Sequence, residues 1–333
     1  MNDVLLNIED LVVSYTSGNK KVNAVNRMNI VVEKGETVGL VGETGAGKTT
    51  TAKAILRLIP NPPGVIEKGK IYFSNENLLS KKESEMRKIR GNKISMIFQD
   101  PMTSLNPVIT IGEQIAEVIR LHQKVSKAKA GIIACEMLER VGIPKERYDE
   151  YPHQFSGGMK QRVVIAIALA CNPQLLIADE PTTALDVTIQ AQILELMHKL
   201  KIDFNTSMIM ISHDLGVVAE ICDKVAIIYA GQVVEFGTVK DVYKNTAHPY
   251  TKGLFAAIPS IKGDRLKRLF YIPGLMPDPT NIPNGCPFSP RCSSKLDICE
   301  KCAPKDTYIN ENHLVRCHLY EEKERELDLC QSY

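Results

Sequence analysis

A glycine-rich segment at residues 42–49, GETGAGKT, constrains the fold of this chain more than any other feature. The apolar run Thr37–Val41 before it predicts a short buried strand, and residues 48–58 after it predict a helix. A phosphate loop needs this setting, because its backbone N–H groups wrap a β-phosphate while its lysine bridges β- and γ-oxygens. We predict that Lys48 makes this bridge and that Thr49 coordinates Mg²⁺. The predicted nucleotide-binding residues are Gly42, Glu43, Thr44, Gly45, Ala46, Gly47, Lys48, Thr49 and Thr50.

A second phosphate-binding pattern lies at residues 155–162, FSGGMKQR. It predicts a helix that begins near Ser156, and a helix N-terminus attracts phosphate through unpaired N–H groups and a partial positive charge. Ser156 adds a hydroxyl, and Gly157 and Gly158 let the backbone approach a ligand closely. The phosphates of one nucleotide do not easily occupy both patterns within a single domain, so the second pattern needs a separate use.

Two carboxylates follow a buried apolar run in the sequence LLIADE at residues 175–180. Asp179 ends the predicted strand, where a carboxylate can hold Mg²⁺ through water. Glu180 follows directly and points elsewhere, so we predict that it polarises the water that attacks the phosphate. Many strands end in acidic residues, and this pair gains its meaning because it follows the phosphate loop in the chain.

Residues 1–245 alternate between predicted strands and helices, which indicates an α/β fold with a parallel sheet covered on both faces. Residues 100–165 predict a mainly helical insert. The composition changes after about residue 245, so we expect residues 246–333 to form a C-terminal extension. Predicted strands cover residues 4–14, 22–32, 37–41, 93–98, 175–178, 207–211 and 224–229, and predicted helices include 189–201 and 215–221.

The bulk composition narrows the class of protein. The 333 residues carry a net charge of +2 with 24% charged residues, a balance that argues against a dedicated nucleic-acid binder. No apolar run is long enough to cross a bilayer, and the N-terminal sequence lacks the basic segment of a secretory signal. We expect a cytoplasmic protein whose association with a membrane depends on a partner.

The C-terminal extension concentrates cysteine and proline. Six of the nine cysteines lie between Cys286 and Cys330, and seven of the 18 prolines lie between Pro273 and Pro304. Proline at this density opposes helix and central strand, so the region is expected to be rich in loops and to need a staple. Clustered thiols in a cytosolic chain indicate a site for zinc or an iron–sulfur cluster. Reduced cysteines in an irregular lobe are the alternative.

The phosphate loop, FSGGMKQR and IADEP together resemble the ATP-binding-cassette (ABC) family over residues 1–245. The resemblance implies a P-loop NTPase nucleotide-binding domain with a RecA-like core, an antiparallel β subdomain and a helical subdomain. It also implies that Gln99 contacts Mg²⁺ and the attacking water and that His213 contacts the γ-phosphate. Tyr15 would stack on adenine, and Asp186 would lie in a loop that crosses a dimer interface.

The resemblance also explains the second phosphate-binding pattern. In this family the signature of one subunit closes on the ATP that the other subunit holds, so Ser156, Gly157 and Gly158 would serve the nucleotide of a partner. Two residues depart from the commonest family pattern. Met159 replaces a glutamine and Phe155 replaces a leucine, and both changes leave the serine and the two glycines in place.

Three further stretches resemble the ATPase subunits of dipeptide and oligopeptide importers. They are QDPMTSLNP after Gln99, HPYTKGLFAAIP from residue 248, and GCPFSPRC…C…CH at residues 285–318. The resemblance implies a [4Fe–4S] cluster, with zinc as the alternative, and leaves the additional Cys302 as a substitute ligand or a free thiol. The implied cluster ligands are Cys286, Cys292, Cys299 and Cys317.

The same resemblance implies the partners. We expect an ATPase at the cytoplasmic face of the membrane, paired with a sister ATPase in preference to a second copy of itself. It would contact two transmembrane permease subunits through residues 99–107, serve a peptide-binding protein indirectly and bind no nucleic acid. An importer of nickel or another small solute is an alternative that shares much of this pattern.

A non-transport ABC ATPase and a degenerate cassette fit the sequence less well than an importer subunit. A non-transport ABC ATPase usually carries two cassettes, a long coiled coil or basic arms, whereas this chain has one cassette and a near-neutral charge. A degenerate cassette would bind ATP without cleaving it, and the intact Lys48, Asp179, Glu180 and His213 argue against that.

Overall fold

A computed structural model describes residues 4–18, 20–183, 185–258 and 270–321. The chain divides into two compact units, and each is discontinuous in sequence. We call Met1–Leu6, Val31–Val38 and Tyr72–Ser212 the signature unit. We call Asn7–Ile30, Gly39–Ile71 and His213–Tyr333 the phosphate-loop unit. The predicted boundary near residue 245 stays a prediction, and Cys330 lies outside the described residues.

Strands and helices alternate along most of the chain, as the sequence predicts. The strands are β1 (Val4–Ser17), β2 (Lys20–Glu33), β3 (Thr37–Val41), β4 (Gly64–Phe73), β5 (Glu76–Asn77), β6 (Ile94–Ile97), β7 (Leu175–Asp179), β8 (Ser207–Ile211), β9 (Lys224–Tyr229), β10 (Gln232–Thr238), β11 (Thr307–Asn310) and β12 (His313–Val315). The α-helices are α1 (Lys48–Ile55), α2 (Glu83–Ile89), α3 (Pro101–Ser104), α4 (Ile111–Gln123), α5 (Lys127–Arg140), α6 (Gly157–Leu169), α7 (Val187–Asp203), α8 (Leu215–Ile221), α9 (Val239–Lys244), α10 (Pro249–Ala256) and α11 (Ile298–Lys301). Short 3₁₀ helices cover Leu78–Ser80, Lys145–Arg147, Pro152–Gln154 and Ser289–Arg291.

The signature unit contains parallel strands in the order β8-β7-β6, and β3 begins in this unit. Strand β7 pairs in parallel with β6, from Ile94↔Leu175, and with β8, up to Asp179↔Ile211. Every residue of β7 and β8 is buried. A continuous apolar run such as LLIA suits a parallel strand that is covered on both faces. This pairing places Asp179 at the carboxyl end of a buried strand.

Helices α3 to α6 occupy the segment in which the sequence predicts a helical insert. In α4, Ile111, Ile115 and Ile119 recur at a spacing of four residues, and each is fully buried. This spacing places the three side chains on one face of the helix, where they pack into the core of the signature unit.

The phosphate-loop unit contains strands in the order β11-β12-β10-β9, followed by the end of β3. The pairs β9–β10, β10–β12 and β11–β12 are antiparallel. A second sheet places β1 between β2 and β4. The sequence patterns did not predict β4, β10, β11 or β12. The last two show that the C-terminal extension adds strands to a sheet of the cassette and is not built from loops alone.

A buried carboxylate joins the C-terminal extension to β10. Glu235 is fully buried and accepts hydrogen bonds from the backbone N–H groups of Ala247 (2.8 Å) and His248 (2.9 Å). Its Oε1 atom also lies 2.8 Å from Nε2 of His313, which is fully buried on β12. A buried carboxylate needs such partners, because desolvation without them is costly. Glu235 therefore fixes both the start of α10 and the position of β12.

Candidate functional site

The phosphate loop lies in the phosphate-loop unit, between the end of β3 and the start of α1. Gly45 and Gly47 have left-handed backbones, with φ angles of 83° and 101°. A Cβ atom at Gly42 would lie 2.2 Å from the carbonyl oxygen of Ile228, and one at Gly47 would lie 2.3 Å from that of Ala24. Backbone conformation and close approach both require glycine here, so the glycine spacing of the motif has a local structural cause.

The side chain of Lys48 lies inside this loop. It is 7% exposed, and its ammonium donates hydrogen bonds to the carbonyl oxygens of Gly42 (2.7 Å) and Glu43 (3.0 Å). Thr49 and Thr50 follow in the first turn of α1 and are half-buried. A helix N-terminus, a glycine-rich loop and an ammonium together favour the binding of phosphate groups.

A carboxylate and an amide come together in the signature unit. Asp179 is 2% exposed, and Glu180 follows it with a left-handed φ angle of 47°. The N–H group of Glu180 donates to the carbonyl oxygen of Ile211 (3.0 Å). Its Oε2 atom accepts hydrogen bonds from Nε2 of Gln99 (2.9 Å) and Oγ1 of Thr183 (3.0 Å). A carboxylate held by two donors is suited to polarise water, and the fold brings it to a glutamine far away in sequence.

The signature segment begins helix α6, as predicted. Ser156 is the N-cap, and its Oγ atom accepts a hydrogen bond from the N–H group of Met159 (3.4 Å). Ser156 and Gly157 are exposed. A Cβ atom at Gly158 would lie 2.6 Å from Cγ2 of Ile189 on α7. The serine and the first glycine therefore present backbone and hydroxyl groups to the surroundings, while the second glycine lets α6 pack against α7.

The two departures from the common signature pattern contact the same guanidinium. Arg147 lies over the ring of Phe155 at 4.2 Å and donates a hydrogen bond to the sulfur of Met159 (3.4 Å). It also donates to the carbonyl oxygen of Gln154 (3.2 Å). Phe155 is 5% exposed, so the ring fills space beneath the start of α6. Both substitutions are absorbed by packing against Arg147, and the Ser156 cap is retained.

The structure also positions three further residues that the family resemblance implies, Asp186, Tyr15 and His213. Asp186 is the exposed N-cap of α7, and its Oδ1 atom accepts from the N–H group of Ile189 (3.0 Å). Tyr15 is half-buried, with its ring over Gly64, where an added Cβ would lie 2.7 Å from Cε1. His213 is exposed and belongs to the phosphate-loop unit. The predicted contacts of these residues with ATP stay predictions.

Three of the four predicted cluster ligands, Cys286, Cys299 and Cys317, are buried, and Cys292 is half-buried. Burial, with a smaller contribution from neighbouring thiols, raises the pKa of Cys286 and of Cys317 to about 11. The backbone N–H group of Cys286 donates to the carbonyl oxygen of Cys299 (2.8 Å). The additional thiol, Cys302, is exposed. The four predicted ligands thus lie in one neighbourhood.

The four cysteines do not form a metal site in the described part of the chain. Within the described residues, no group of three or more His, Cys, Asp or Glu side chains is placed to hold one metal ion. The chemistry of four thiols fits a cluster, whereas their arrangement in this structure does not form one. The predicted [4Fe–4S] cluster, like the zinc alternative, therefore stays a prediction.

Sequence reasoning missed two residues that contact the phosphate loop. The hydroxyl of Tyr250 accepts a hydrogen bond from the N–H group of Glu43 (3.1 Å), and Arg291 donates to the carboxylate of Glu43 (3.0 Å). The two residues lie in the C-terminal stretches HPYTKGLFAAIP and GCPFSPRC. Both stretches are visible in the sequence, but a contact between residues more than 200 positions apart has no local signal.

The glycine-rich loop around Lys48, the Gln99–Glu180 pair after a buried strand, and the Ser156-capped helix define an ATP-binding-cassette ATPase. Comparison with known proteins agrees. The family model described as ABC transporter matches residues 25–183. A second model, described as the C-terminal region of the oligopeptide/dipeptide transporter, matches residues 234–299.

Relatives match nearly the whole chain. The oligopeptide transport ATP-binding protein OppD of Bacillus subtilis is 50% identical over 95% of this chain and 88% of its own length. The OppD of Haemophilus influenzae is 49% identical over 96% of this chain and 98% of its own. The dipeptide transport ATP-binding protein DppD of Bacillus subtilis is 47% identical, covering 96% of both chains. The chain belongs to the ABC transporter ATP-binding proteins that carry the oligopeptide/dipeptide transporter C-terminal region.

Solved structures support the fold of the cassette. The ATP-binding cassette MJ0796, in a dimeric post-hydrolysis state bound to ADP and Pi, aligns with a TM-score of 0.63 at 27% identity. That alignment covers 70% of this chain and 98% of the solved one. The cbiO1 protein of Clostridium perfringens, part of the ABC transporter complex cbiONQ, aligns with a TM-score of 0.62 at 26% identity, over 73% of this chain and 91% of that chain.

In the part of the chain that the structure describes, no helix is both long and apolar enough to cross a bilayer.

Proposed function

We propose that this chain binds and hydrolyses ATP to energise the import of dipeptides or oligopeptides. The observation that carries the proposal is the match of residues 234–299 to the oligopeptide/dipeptide transporter C-terminal region, in a chain that retains its ATPase residues. The names of OppD and DppD, at about half identity over nearly the whole chain, support peptides as the transported class.

We assign the chemical step residue by residue. Lys48 binds the β- and γ-phosphates, and the oxygen of a water attacks the γ-phosphorus as its bond to ADP breaks. Glu180 accepts the proton of that water, while Gln99 orients the carboxylate through the 2.9 Å hydrogen bond. His213 contacts the γ-phosphate, and Tyr15 stacks on the adenine. Thr49, Gln99 and Asp179 would hold Mg²⁺, which neutralises phosphate charge when bound.

The signature residues act on the ATP of a partner in this proposal. Ser156 and Gly157 are exposed at the N-terminus of α6, where backbone N–H groups and the helix dipole favour phosphate. Asp186 is exposed at the start of α7 and would face the same interface. The preferred partner is a sister ATPase, because importers of this kind commonly use two different ATPase subunits.

The assembly would lie at the cytoplasmic face of the membrane. Two permease subunits would receive the movement of the cassettes through residues 99–107, and a peptide-binding protein would deliver the substrate from the other side. Val108, directly after this segment, is 78% exposed, which leaves an apolar side chain available to a permease.

We further propose that Cys286, Cys292, Cys299 and Cys317 hold a [4Fe–4S] cluster as a structural staple. Support comes from the sequence pattern and from the burial of three of the four thiols. A region rich in proline and poor in regular structure gains most from such a staple. The chemistry of transport does not pass through the cluster in this proposal.

Uptake into liposomes tests the proposed function. The chain is reconstituted with the permeases, the sister ATPase and the binding protein, and ATP is supplied on the cassette side. We expect uptake of labelled peptide coupled to phosphate release, and Lys48→Ala lowers both by about a hundredfold. The exposed Lys199→Ala on α7 is the matched control and keeps both rates. Uptake of Ni²⁺ without peptide uptake would reject the peptide assignment.

A further inference from the structure

The C-terminal extension holds one residue of the phosphate loop at two points. Nη1 of Arg291 lies 3.0 Å from Oε1 and 3.1 Å from Oε2 of Glu43. The backbone N–H group of Glu43 donates to the hydroxyl of Tyr250 at 3.1 Å. Glu43 is the second residue of the loop, directly after Gly42. The side chain and the backbone at this position are therefore both positioned by residues more than 200 positions away in sequence.

The Arg291 guanidinium is itself held in one orientation. Its side chain is only 6% exposed. Nε donates to the carbonyl oxygen of Pro273 (3.0 Å), and Nη2 donates to that of Ile272 (3.4 Å). Nη1 also donates to the hydroxyl of Tyr229 (3.3 Å). A planar group with five donors, satisfied on several sides, has little freedom to leave Glu43.

Three aromatic rings form a rigid support beneath this contact. The Tyr229 ring lies 4.6 Å from that of Tyr250 and 5.3 Å from that of Phe288, and the last two are 5.4 Å apart. Tyr229 and Tyr250 are fully buried, and Phe288 is 3% exposed. Phe288 and Arg291 both lie in the stretch GCPFSPRC at residues 285–292, which we call the cysteine segment. Strand β9, helix α10 and the cysteine segment therefore share one packed cluster.

Electrostatics gives this arrangement a consequence for phosphate binding. A carboxylate within a loop that must accept a triphosphate repels the ligand unless a cation neutralises it. The Glu43 side chain is 31% exposed, so solvent screens its charge incompletely. Arg291 is the cation that pairs with it. Removing the guanidinium would leave a negative charge beside the bound phosphates.

We propose that Arg291 is a positioning residue for ATP binding: it neutralises Glu43 and, together with Tyr250, fixes the phosphate loop. This inference rests on the proposed function, because it concerns the affinity of the same ATP site. Arg291 directly precedes Cys292, and its backbone N–H group donates to the carbonyl oxygen of Phe288 (3.0 Å). The order of the cysteine segment therefore sets the ATP affinity of the cassette.

Variants of the reconstituted transporter test the proposal. Arg291→Ala is expected to raise the KM for ATP about tenfold with a much smaller change in kcat, because it exposes the loop to an uncompensated charge. Added salt should lower that KM again by screening the repulsion. The double variant with Glu43→Gln should bring the KM back toward the wild-type value, since the repelling carboxylate is then absent.

The rescue separates the proposal from a purely structural role. If Arg291 acted only by holding the backbone at Pro273, the double variant would bind ATP as poorly as Arg291→Ala. That result would overturn the inference. Arg316→Ala is the matched control, because this 13% exposed arginine pairs with Asp306 in the same C-terminal extension. It should keep the wild-type KM. If the wild-type chain hydrolyses ATP and the Arg291→Ala variant has the same KM for ATP, the inference is refuted and the proposed function stays intact.

Discussion

Glu180 combines an unusual backbone with a carboxylate of defined orientation. Its φ angle of 47° is costly for a residue with a Cβ atom, and such conformations persist where surrounding contacts enforce them. The contacts are visible here. Ile211 accepts the hydrogen bond of the Glu180 N–H group, while Gln99 and Thr183 hold the side chain. The residue that we assign as general base is therefore constrained in both its backbone and its side chain.

We predict that Glu180→Gln lowers ATP hydrolysis by about a hundredfold or more, because an amide of the same shape cannot accept the proton of the attacking water. ATP binding should persist, so an ATP-bound dimer should accumulate. Phosphate release and size-exclusion chromatography with ATP measure the two effects. Glu195→Gln, at an exposed position of α7, is the control. A Glu180→Gln variant that hydrolyses ATP at the normal rate would show that the base is another group.

At the scale of secondary-structure elements, helix α6 packs on α7, and this packing leaves different amounts of space for an added side chain at the adjacent Gly157 and Gly158. An added Cβ at Gly158 would lie 2.6 Å from Cγ2 of Ile189, whereas one at Gly157 would lie 3.6 Å from Cδ2 of Leu185. The first distance forces a displacement between helices, and the second is ordinary van der Waals contact.

We therefore predict that Gly158→Ala lowers the free energy of unfolding by about 1–3 kcal/mol through overpacking. Gly157→Ala, the matched control, should leave it unchanged or raise it, because alanine favours the helical backbone. Chemical denaturation of the two variants measures the difference. Equal stability of both would show that α6 adjusts at no cost.

Helix α10 begins at a histidine cap that requires a neutral ring. Nδ1 of His248 accepts a hydrogen bond from the N–H group of Tyr250 (3.0 Å), and a protonated ring nitrogen cannot accept. Burial lowers the pKa of His248 to about 4, with Glu235 acting in the opposite direction and Lys252 in the same one. The ordinary value for histidine is about 6.5.

The sign of the pH effect follows from these two values. Between about pH 6.5 and 4 the unfolded chain binds a proton at this position and the folded chain does not, so stability falls as the pH falls through this range. We predict that His248→Asn flattens the pH dependence of the unfolding free energy there by up to about 1.4 kcal/mol per pH unit. His198→Asn, at an exposed position of α7, is the control. An unchanged slope in His248→Asn would refute the assignment.

The molecule as a whole carries a phosphate loop, a signature helix and a C-terminal extension that contacts the loop. The extension is anchored by two side-chain pairs, the buried Glu235 and His313, and Arg291 with the partly exposed Glu43. These contacts make the extension part of the phosphate-loop unit, so a change in the cysteine segment is expected to reach the ATP site.

Measuring the iron, sulfide and zinc content of the purified protein distinguishes a [4Fe–4S] cluster from a zinc site. We predict about four iron and four sulfide per chain after anaerobic purification, with visible absorption that Cys286→Ser abolishes. Cys302→Ser, which changes the exposed additional thiol, should keep the iron. A colourless protein with one zinc per chain, both with and without air, would replace the cluster by a zinc site.

Much of the cassette was predictable because its signals are local. Strands β3, β8 and β9 and helix α8 have the predicted bounds. Each strand is a short apolar run between turns, and the helix is a short stretch of helical periodicity between turns. The cap at Ser156 and the glycine loop around Lys48 also follow from neighbouring residues. Strands β11 and β12 escaped prediction, because β12 is stabilised by pairing with β10 and β11 by pairing with β12, and not by their own three or four residues.

The class of protein follows from the amino-acid sequence, since a phosphate loop, a signature and a strand ending in two acids each require particular residues at fixed short spacings. The contacts between distant segments follow only from the tertiary structure. Gln99 reaches Glu180, Glu235 anchors His313, and Arg291 neutralises Glu43. The physical reason is that such contacts depend on how chain segments pack, which no short-range pattern of residues encodes.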